Sequence, residues 1–173
     1  MLRLEYARFR VPGGMLVVVA DPTEHGDRPG QVYGAVTLAS FGTVGAIREQ
    51  YRGVATFTQS ELPEIAAVIE RYNAGDLDAL EEVSVAQQGG EFYRRGWASM
   101  RKVRAGTVAT YAELAKAAGS PAAWRAAGSV CSTNTVPLFV PCHRIVAAHG
   151  RLGGYAYGPE VKIALLEHEG VML

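Results

Sequence analysis
TYAELAKAAGSPAAWRAAGSVCSTN, residues 110–134, carries the punctuation of two short helices. Thr110 precedes Tyr111 and is followed three residues later by Glu113, the spacing of a capping box, in which hydroxyl and carboxylate each take a free N–H of the first turn. The first helix is expected to stop at Gly119. Ser120 is expected to cap a second helix with Pro121 at its first position, where a missing N–H costs nothing. Two short helices joined by a tight glycine turn form a helix-turn-helix pattern. That pattern serves DNA binding in some proteins and only packing in others. The second helix is built of Ala, Gly and Ser with one long basic side chain, Arg125. A helix that reads the major groove offers several Arg, Lys, Asn or Gln to base edges. A thin small-residue helix instead suits close approach to backbone in a narrow groove, with one Arg probing the base stack. The competing reading is a packed core helix with Arg125 in solvent.

Upstream, EFYRRGWASMRKVRAG (residues 91–106) places Phe92, Trp97 and Met100 on a broad apolar side and ends at Gly106. Gly96 inside it weakens helix propensity. The first forty residues have another texture. LRLEYARFRV, GMLVVVA and QVYGAVTLASF are strand-like, with the turn-rich DPTEHGDRPG between the last two, which predicts a small antiparallel sheet. SELPEIAAVIERYNAG, with apolar Ile65, Val68, Ile69 and Tyr72, predicts a capped amphipathic helix. An acidic connector with a short strand follows, ending in a Gly pair. The expected class is α+β, with an N-terminal domain over 1–87 and a mainly helical domain over 88–173.

Charge divides at the same place. Residues 1–87 hold 7 Lys/Arg against 12 Asp/Glu, and residues 88–173 hold 10 against 5. Such asymmetry in a chain of zero net charge fits a polyanion contact on the basic half, or chance variation between small domains. No apolar run approaches the ~20 residues that span a bilayer, and the N-terminus lacks the apolar core of a signal peptide. A cytoplasmic location is the expectation. Cys131 and Cys142 are the only cysteines, so reduced thiols are expected rather than a disulfide framework. The four histidines are dispersed and no CxxC or HxxxH occurs, so neither metal nor cofactor is expected.

In VPLFVPCHRIV (136–146) a cysteine and a histidine stand side by side. The thiol could be buried, metal-bound or nucleophilic. A reactive thiol needs a base, and His is the natural one. Adjacent residues on a strand face opposite ways, but Pro137 and Pro141 make a regular strand improbable, so the chain turns and contact of Cys142 and His143, direct or through water, is feasible. A carboxylate should orient the imidazole. Glu160, Glu167 and Glu169 are available, and on EVKIALLEHEG the apolar side through Val161, Leu165 and Leu166 takes in Glu169.

PCHRIV with Asn134, Tyr111 and Arg125 upstream and GRLGGYAYGPEVKIALLEHE downstream resembles the O6-alkylguanine-DNA alkyltransferases, over about Phe92 to Gly170. The first 87 residues match only in general layout, for which the resemblance implies a ribonuclease-H-like arrangement. It further implies that an O6-alkylguanine is flipped from duplex DNA, approached through the minor groove, and that its alkyl group passes irreversibly to the protein. Cys142 would be the acceptor, His143 its base through a water, and Glu169 the holder of the imidazole. Asn134 would organise the active-site turn, and Tyr111 would crowd the phosphate and help protonate the leaving base. Arg125 would fill the gap in the stack, with Ala123, Ala126, Ala127 and Gly128 forming the surface laid in the groove. Val140, Tyr155, Ala156, Tyr157 and Gly158 would form the base pocket and lid. A monomer, binding DNA with or without cooperativity, is implied. Gly96 stands where relatives more often carry an aliphatic residue, and Tyr157 is expected to narrow the pocket against large alkyl groups. Two other classes compete: a non-catalytic module binding alkylated bases, which an intact Cys142 disfavours, and a Cys–His hydrolase, which leaves Arg125 and the basic half unused.

Overall fold
The structure is a computed structural model that describes residues 1–28 and 34–173. The chain divides into two compact units, Met1–Ala86 and Gln87–Leu173.

In the first unit, β1 (Leu2–Val11) and β2 (Gly14–Asp21) form a hairpin, and β3 (Ala35–Ser40) adds antiparallel to β2. α1 (Val44–Gln50) crosses to β4 (Ala55–Gln59), which pairs with β1 in parallel, giving the order β3-β2-β1-β4. The sheet is therefore mixed, not antiparallel throughout. The strand pattern of the sequence carries no sign of direction; the helix inserted before β4 returns the chain to the starting end, as parallel pairing requires. Leu16, Val17, Val18 and Val19 are buried in succession, so both faces of the sheet are covered. Leu4, Tyr6, Val17 and Val19 pack with Ile47 of α1. α2 (Pro63–Asn73) buries Ile65, Val68, Ile69 and Tyr72, as its periodicity predicts. Its cap differs from the expectation: Leu62 holds that position with a left-handed φ of 42° and no side-chain bond, and Pro63 opens the helix. The acidic connector forms a 3-10 helix, Leu77–Glu82, then a single bridge from Val85 to Val36. The part of the third predicted strand over 31–33 lies outside the described residues.

In the second unit, α3 (Glu91–Met100) ends before Gly106 and buries Trp97 and Met100. α4 (Tyr111–Ala117) starts on a complete capping box between Thr110 and Glu113. α5 spans Trp124–Ser132, three residues later than Pro121 would have it. Residues 120–123 close a turn in which the Ala123 N–H donates to the Ser120 carbonyl, so Ser120 acts through its backbone and caps nothing. Gly96 explains itself here: a Cβ on it would lie 2.7 Å from Val130 Cγ1, so the missing side chain lets α3 and α5 approach closely. Trp97 Nε1 donates to the Val130 carbonyl beside it (3.0 Å).

Two short strands fix the rest. β5 (Ala109–Thr110) pairs in parallel with β6 (Ile145–Val146), which brings the start of α4 beside the segment that follows Cys142. A single 3-10 turn, Cys142–Arg144, leads into β6, and α6 (Pro159–His168) packs against it. No helix among the described residues is long and apolar enough to cross a membrane.

Candidate active site
The loop from Asn134 to Cys142 is held almost entirely from within. Asn134 Oδ1 accepts from the Val136 N–H (3.0 Å) and from Gln87 Nε2 (2.9 Å), while its Nδ2 donates to the Val140 carbonyl (2.7 Å). That same carbonyl accepts the Cys142 N–H (2.8 Å). One bond accepted by the Asn134 amide oxygen and one donated by its nitrogen are thus spent on the turn that carries the thiol, and Gln87 braces the oxygen from outside it. Leu138, fully buried, takes a left-handed φ of 74° to complete it.

Cys142 lines a cavity of about 240 Å³ together with Tyr111, Asn134, Gly128 and three residues of the expected lid, Tyr155, Ala156 and Tyr157. The Tyr155 and Tyr157 rings, both in the cavity wall, meet edge to face at 5.8 Å. Gly158 starts α6 with φ 98° and does not line the cavity. Val140 does not line it either: it is completely buried and reaches the site only through its carbonyl. Tyr111 sits close to backbone because Gly153, at φ 75°, has no Cβ; one there would stand 2.9 Å from the phenol oxygen.

His143 is fully buried and does not line the cavity itself. Its Nε2 is 2.9 Å from Glu169 Oε1. The same carboxylate accepts Arg144 Nε on Oε2 and Arg144 Nη2 on Oε1, both at 2.9 Å, a two-pronged charge-assisted pair. Arg144 Nη1 is anchored to the Val103 carbonyl (2.7 Å). Burial works against the Glu169 charge, but His143 and Arg144 outweigh it and bring the carboxyl down to about 2. An ionised acceptor on Nε2 fixes the proton there. Burial holds His143 below its ordinary pKa, so the ring is neutral near pH 7 and Nδ1 carries a free lone pair. That atom is buried with no protein partner.

Lys162 is the least expected member. It is fully buried on α6, with Nζ donating to the Ile145 carbonyl (2.6 Å) and the Gly154 carbonyl (3.1 Å). Burial pushes the Cys142 thiol up, opposed by the Asn134 side chain, the positive Lys162 and the backbone N–H. Resting Cys142 is a protonated thiol beside groups that favour the thiolate. Cys131 also lines the cavity, and burial and the neighbouring Cys142 raise its thiol to about 12. The Tyr111 phenol is raised by its own burial first.

On α5, Arg125 is exposed and its guanidinium lies over the Trp124 ring, 4.9 Å from the centroid. Ala123, Ala126 and Gly128 are half-buried. Ala127 departs from the expectation: it is completely buried, a packing residue with no surface to offer DNA. Sequence reasoning missed Lys162, Arg144, Cys131 and Gln87. Lys162 had a signal, since 162, 165, 166 and 169 share one helical stripe.

Residues 91–171 match the model of the 6-O-methylguanine DNA methyltransferase DNA binding domain. A methylated-DNA–protein-cysteine methyltransferase of Methanosarcina acetivorans is 39% identical over 107 residues, covering 62% of this chain and 68% of that one. Several such alignments span 61–68% of the relatives' length. The Haemophilus influenzae protein of the same name is 29% identical over 99% of this chain and 89% of its own. The crystal structure of Mycobacterium tuberculosis OGT in complex with DNA superimposes with a TM-score of 0.74 at 27% identity, over 97% of this chain and 92% of that one.

Proposed function
This chain belongs to the methylated-DNA–protein-cysteine methyltransferase family, a class of DNA-repair methyltransferases, and on that premise we propose how its own residues carry the reaction. The observation that carries the reading is a buried His143–Glu169 pair adjoining in sequence a thiol that lines the cavity. Cys142 lines the cavity, the next residue, His143, has an Nδ1 with no protein partner, and Glu169 holds Nε2 of the same ring.

The substrate is duplex DNA bearing O6-alkylguanine, with the damaged base flipped into the cavity. Extrusion is least costly for a poorly paired lesion, which contributes selectivity. The Cys142 proton passes to His143 Nδ1 through a water, and Sγ attacks the alkyl carbon in line with its bond to O6. The S–C bond forms as the C–O bond breaks, and the electron pair leaves on guanine. Tyr111, the phenol in the cavity wall, donates a proton to the leaving base as its charge develops. In net balance the thiol proton ends on guanine and the alkyl group stays on sulfur. A thioether offers no easy hydrolysis, so each molecule reacts once. Glu169 and Lys162 act in opposite senses on the same step: the carboxylate stabilises the imidazolium that forms, and the ammonium stabilises the thiolate. The Tyr157 ring in the wall favours small alkyl groups.

α4 and α5 serve as a helix-turn-helix that enters the minor groove, with Arg125 as the finger that fills the vacated stack; the half-buried Ala123, Ala126 and Gly128 permit close approach. The 88–173 domain carries binding and chemistry. The 1–87 domain, in a ribonuclease-H-like layout, supports it. The protein works as a monomer in the cytoplasm, where both thiols stay reduced.

The test is direct. Incubation with duplex containing O6-methylguanine should add one methyl, about 14 Da by replacement of hydrogen, to one protein molecule per lesion. Cys142→Ala should show no addition. Repeated turnover without a mass change would instead indicate a hydrolase, and binding alone a recognition module.

A further inference from the structure
Trp124 has no place in the reaction above, yet its position is costly. It opens α5 and is 51% exposed, among the described residues the only aromatic of the exposed large hydrophobic side chains. The other tryptophan, Trp97, is 6% exposed with its Nε1 bonded to a carbonyl. Around Trp124 the helix surface is small: Ala122 and Ala123 precede it, and Ala126 and Gly128 follow. A single large flat side chain thus projects from an otherwise thin helix, directly beside the one long basic side chain. The two are not independent, because the Arg125 guanidinium rests 4.9 Å from the indole centroid, within cation–π range. Stacking on the ring limits the rotamers of Arg125, so less freedom is lost when it inserts.

We propose that Trp124 is a second stacking element for DNA: its indole lies against the exposed face of a base next to the vacated position, and it carries Arg125 into the gap. The inference rests on the reading that α5 enters the duplex. Its chemistry is general. Apolar wedges that enter the minor groove unstack a base step, and any base offers a π-face to an aromatic side chain. A Trp–Arg pair presents such a face and a positive charge for the phosphates together. Trp124 is thus a positioning residue for duplex substrate, with no role once a base is already free.

The experiment compares wild type, Trp124→Ala, Trp124→Phe and Arg125→Ala on two substrates, duplex containing O6-methylguanine and the free O6-methylguanine base, following methyl uptake by intact mass. Base–aromatic stacking predicts that Trp124→Ala slows duplex repair about tenfold or more. Reaction with the free base should stay within twofold of wild type, and Trp124→Phe should recover most of the loss. Because Trp97 is buried, a change of indole emission on adding DNA reports mainly on Trp124, and undamaged duplex should quench part of the emission in wild type but not in Trp124→Ala. If Trp124→Ala slows on the free base too, folding is at fault, and the quench together with the Trp124→Phe rate decides. Duplex repair by Trp124→Ala within twofold of wild type, or no quench in wild type, overturns the proposal. Impairment of Arg125→Ala alone removes only Trp124, whereas no methyl uptake by wild type from either substrate removes the underlying reading.

Discussion

The two units of this chain treat buried polarity in opposite ways. Among the described residues, the first buries Asp21 and Ser84, and both are satisfied by nearby or backbone partners; Asp21 accepts from Thr23, two residues on. The second buries Arg101, His143, Arg144, Lys162 and Glu169, all five ionisable, and His143, Arg144 and Glu169 meet in one hydrogen-bonded cluster. Their partners are distant in sequence: Arg144 reaches 41 residues back to Val103 and 25 forward to Glu169. Desolvating charge is expensive, and an apolar replacement of a buried ion pair is often no less stable. The first unit is built as stability alone would build it. The second carries charges that stability does not require, and the proposed reaction draws on three of them, His143, Lys162 and Glu169.

The largest effect should come from removing the carboxylate. Glu169→Gln leaves Arg144 buried without its counter-charge, which costs about 3–5 kcal/mol. It also removes the anion that stabilises the imidazolium, slowing methyl transfer by about 100-fold while leaving affinity for undamaged duplex unchanged. Stopped-flow uptake and a urea titration measure the two; transfer at the wild-type rate would take Glu169 out of the site.

Acid should erase part of that difference. The folded Glu169 carboxyl lies at about 2 against an ordinary 4.5. A depressed carboxyl contributes stability that is present above pH 4.5 and lost as pH falls toward 2, about 3 kcal/mol for this gap. The stability difference between wild type and Glu169→Gln should therefore shrink by that amount from pH 6 to pH 2. A constant difference would show that the pair is not what is being titrated.

Packing gives a smaller effect of another kind. Gly96→Ala drives a Cβ against Val130, and overpacking of this sort costs about 1–3 kcal/mol. Val130→Ala in the same chain should return part of it, seen as a recovered melting temperature. Additive losses would mean that α3 and α5 do not touch there. Smallest is the cap: Thr110→Ala removes the hydroxyl that accepts the Glu113 N–H and should cost about 1 kcal/mol. Because Tyr111 starts on that cap, the duplex repair rate should fall with it, whereas a rate that ignores the cap would separate Tyr111 from the reaction.

What the sequence disclosed follows the range of the interactions. The Thr110–Glu113 box, the face of α2 and the stripe leading to Glu169 depend on neighbours within four residues, and they could be read directly. The direction of β4 depends on where a helix returns the chain, and the start of α5 on the turn over residues 120–123, which Pro121 permits as readily as a first helical turn. Lys162 and Arg144 were hidden by residue type. A lysine or arginine is ordinarily a surface group, and only the acceptors assembled from Ile145, Gly154, Val103 and Glu169 make an interior possible.

Leu138 sets how the reactive loop can fail. Its left-handed backbone is disfavoured for a branched side chain, and what keeps it there is the burial of that side chain. Glycine would relax the backbone but vacate the core, so no single replacement satisfies both. The loop is consequently not a separate hinge that can open while the interior stays shut. Loosening beneath Leu138 would release the turn, and with it the Asn134 bonds and the Cys142 thiol, in one event. Reactivity and global unfolding are therefore cooperative here: amide exchange at Val140 and Cys142 should follow the slowest protons of the domain rather than the fast regime of a surface loop.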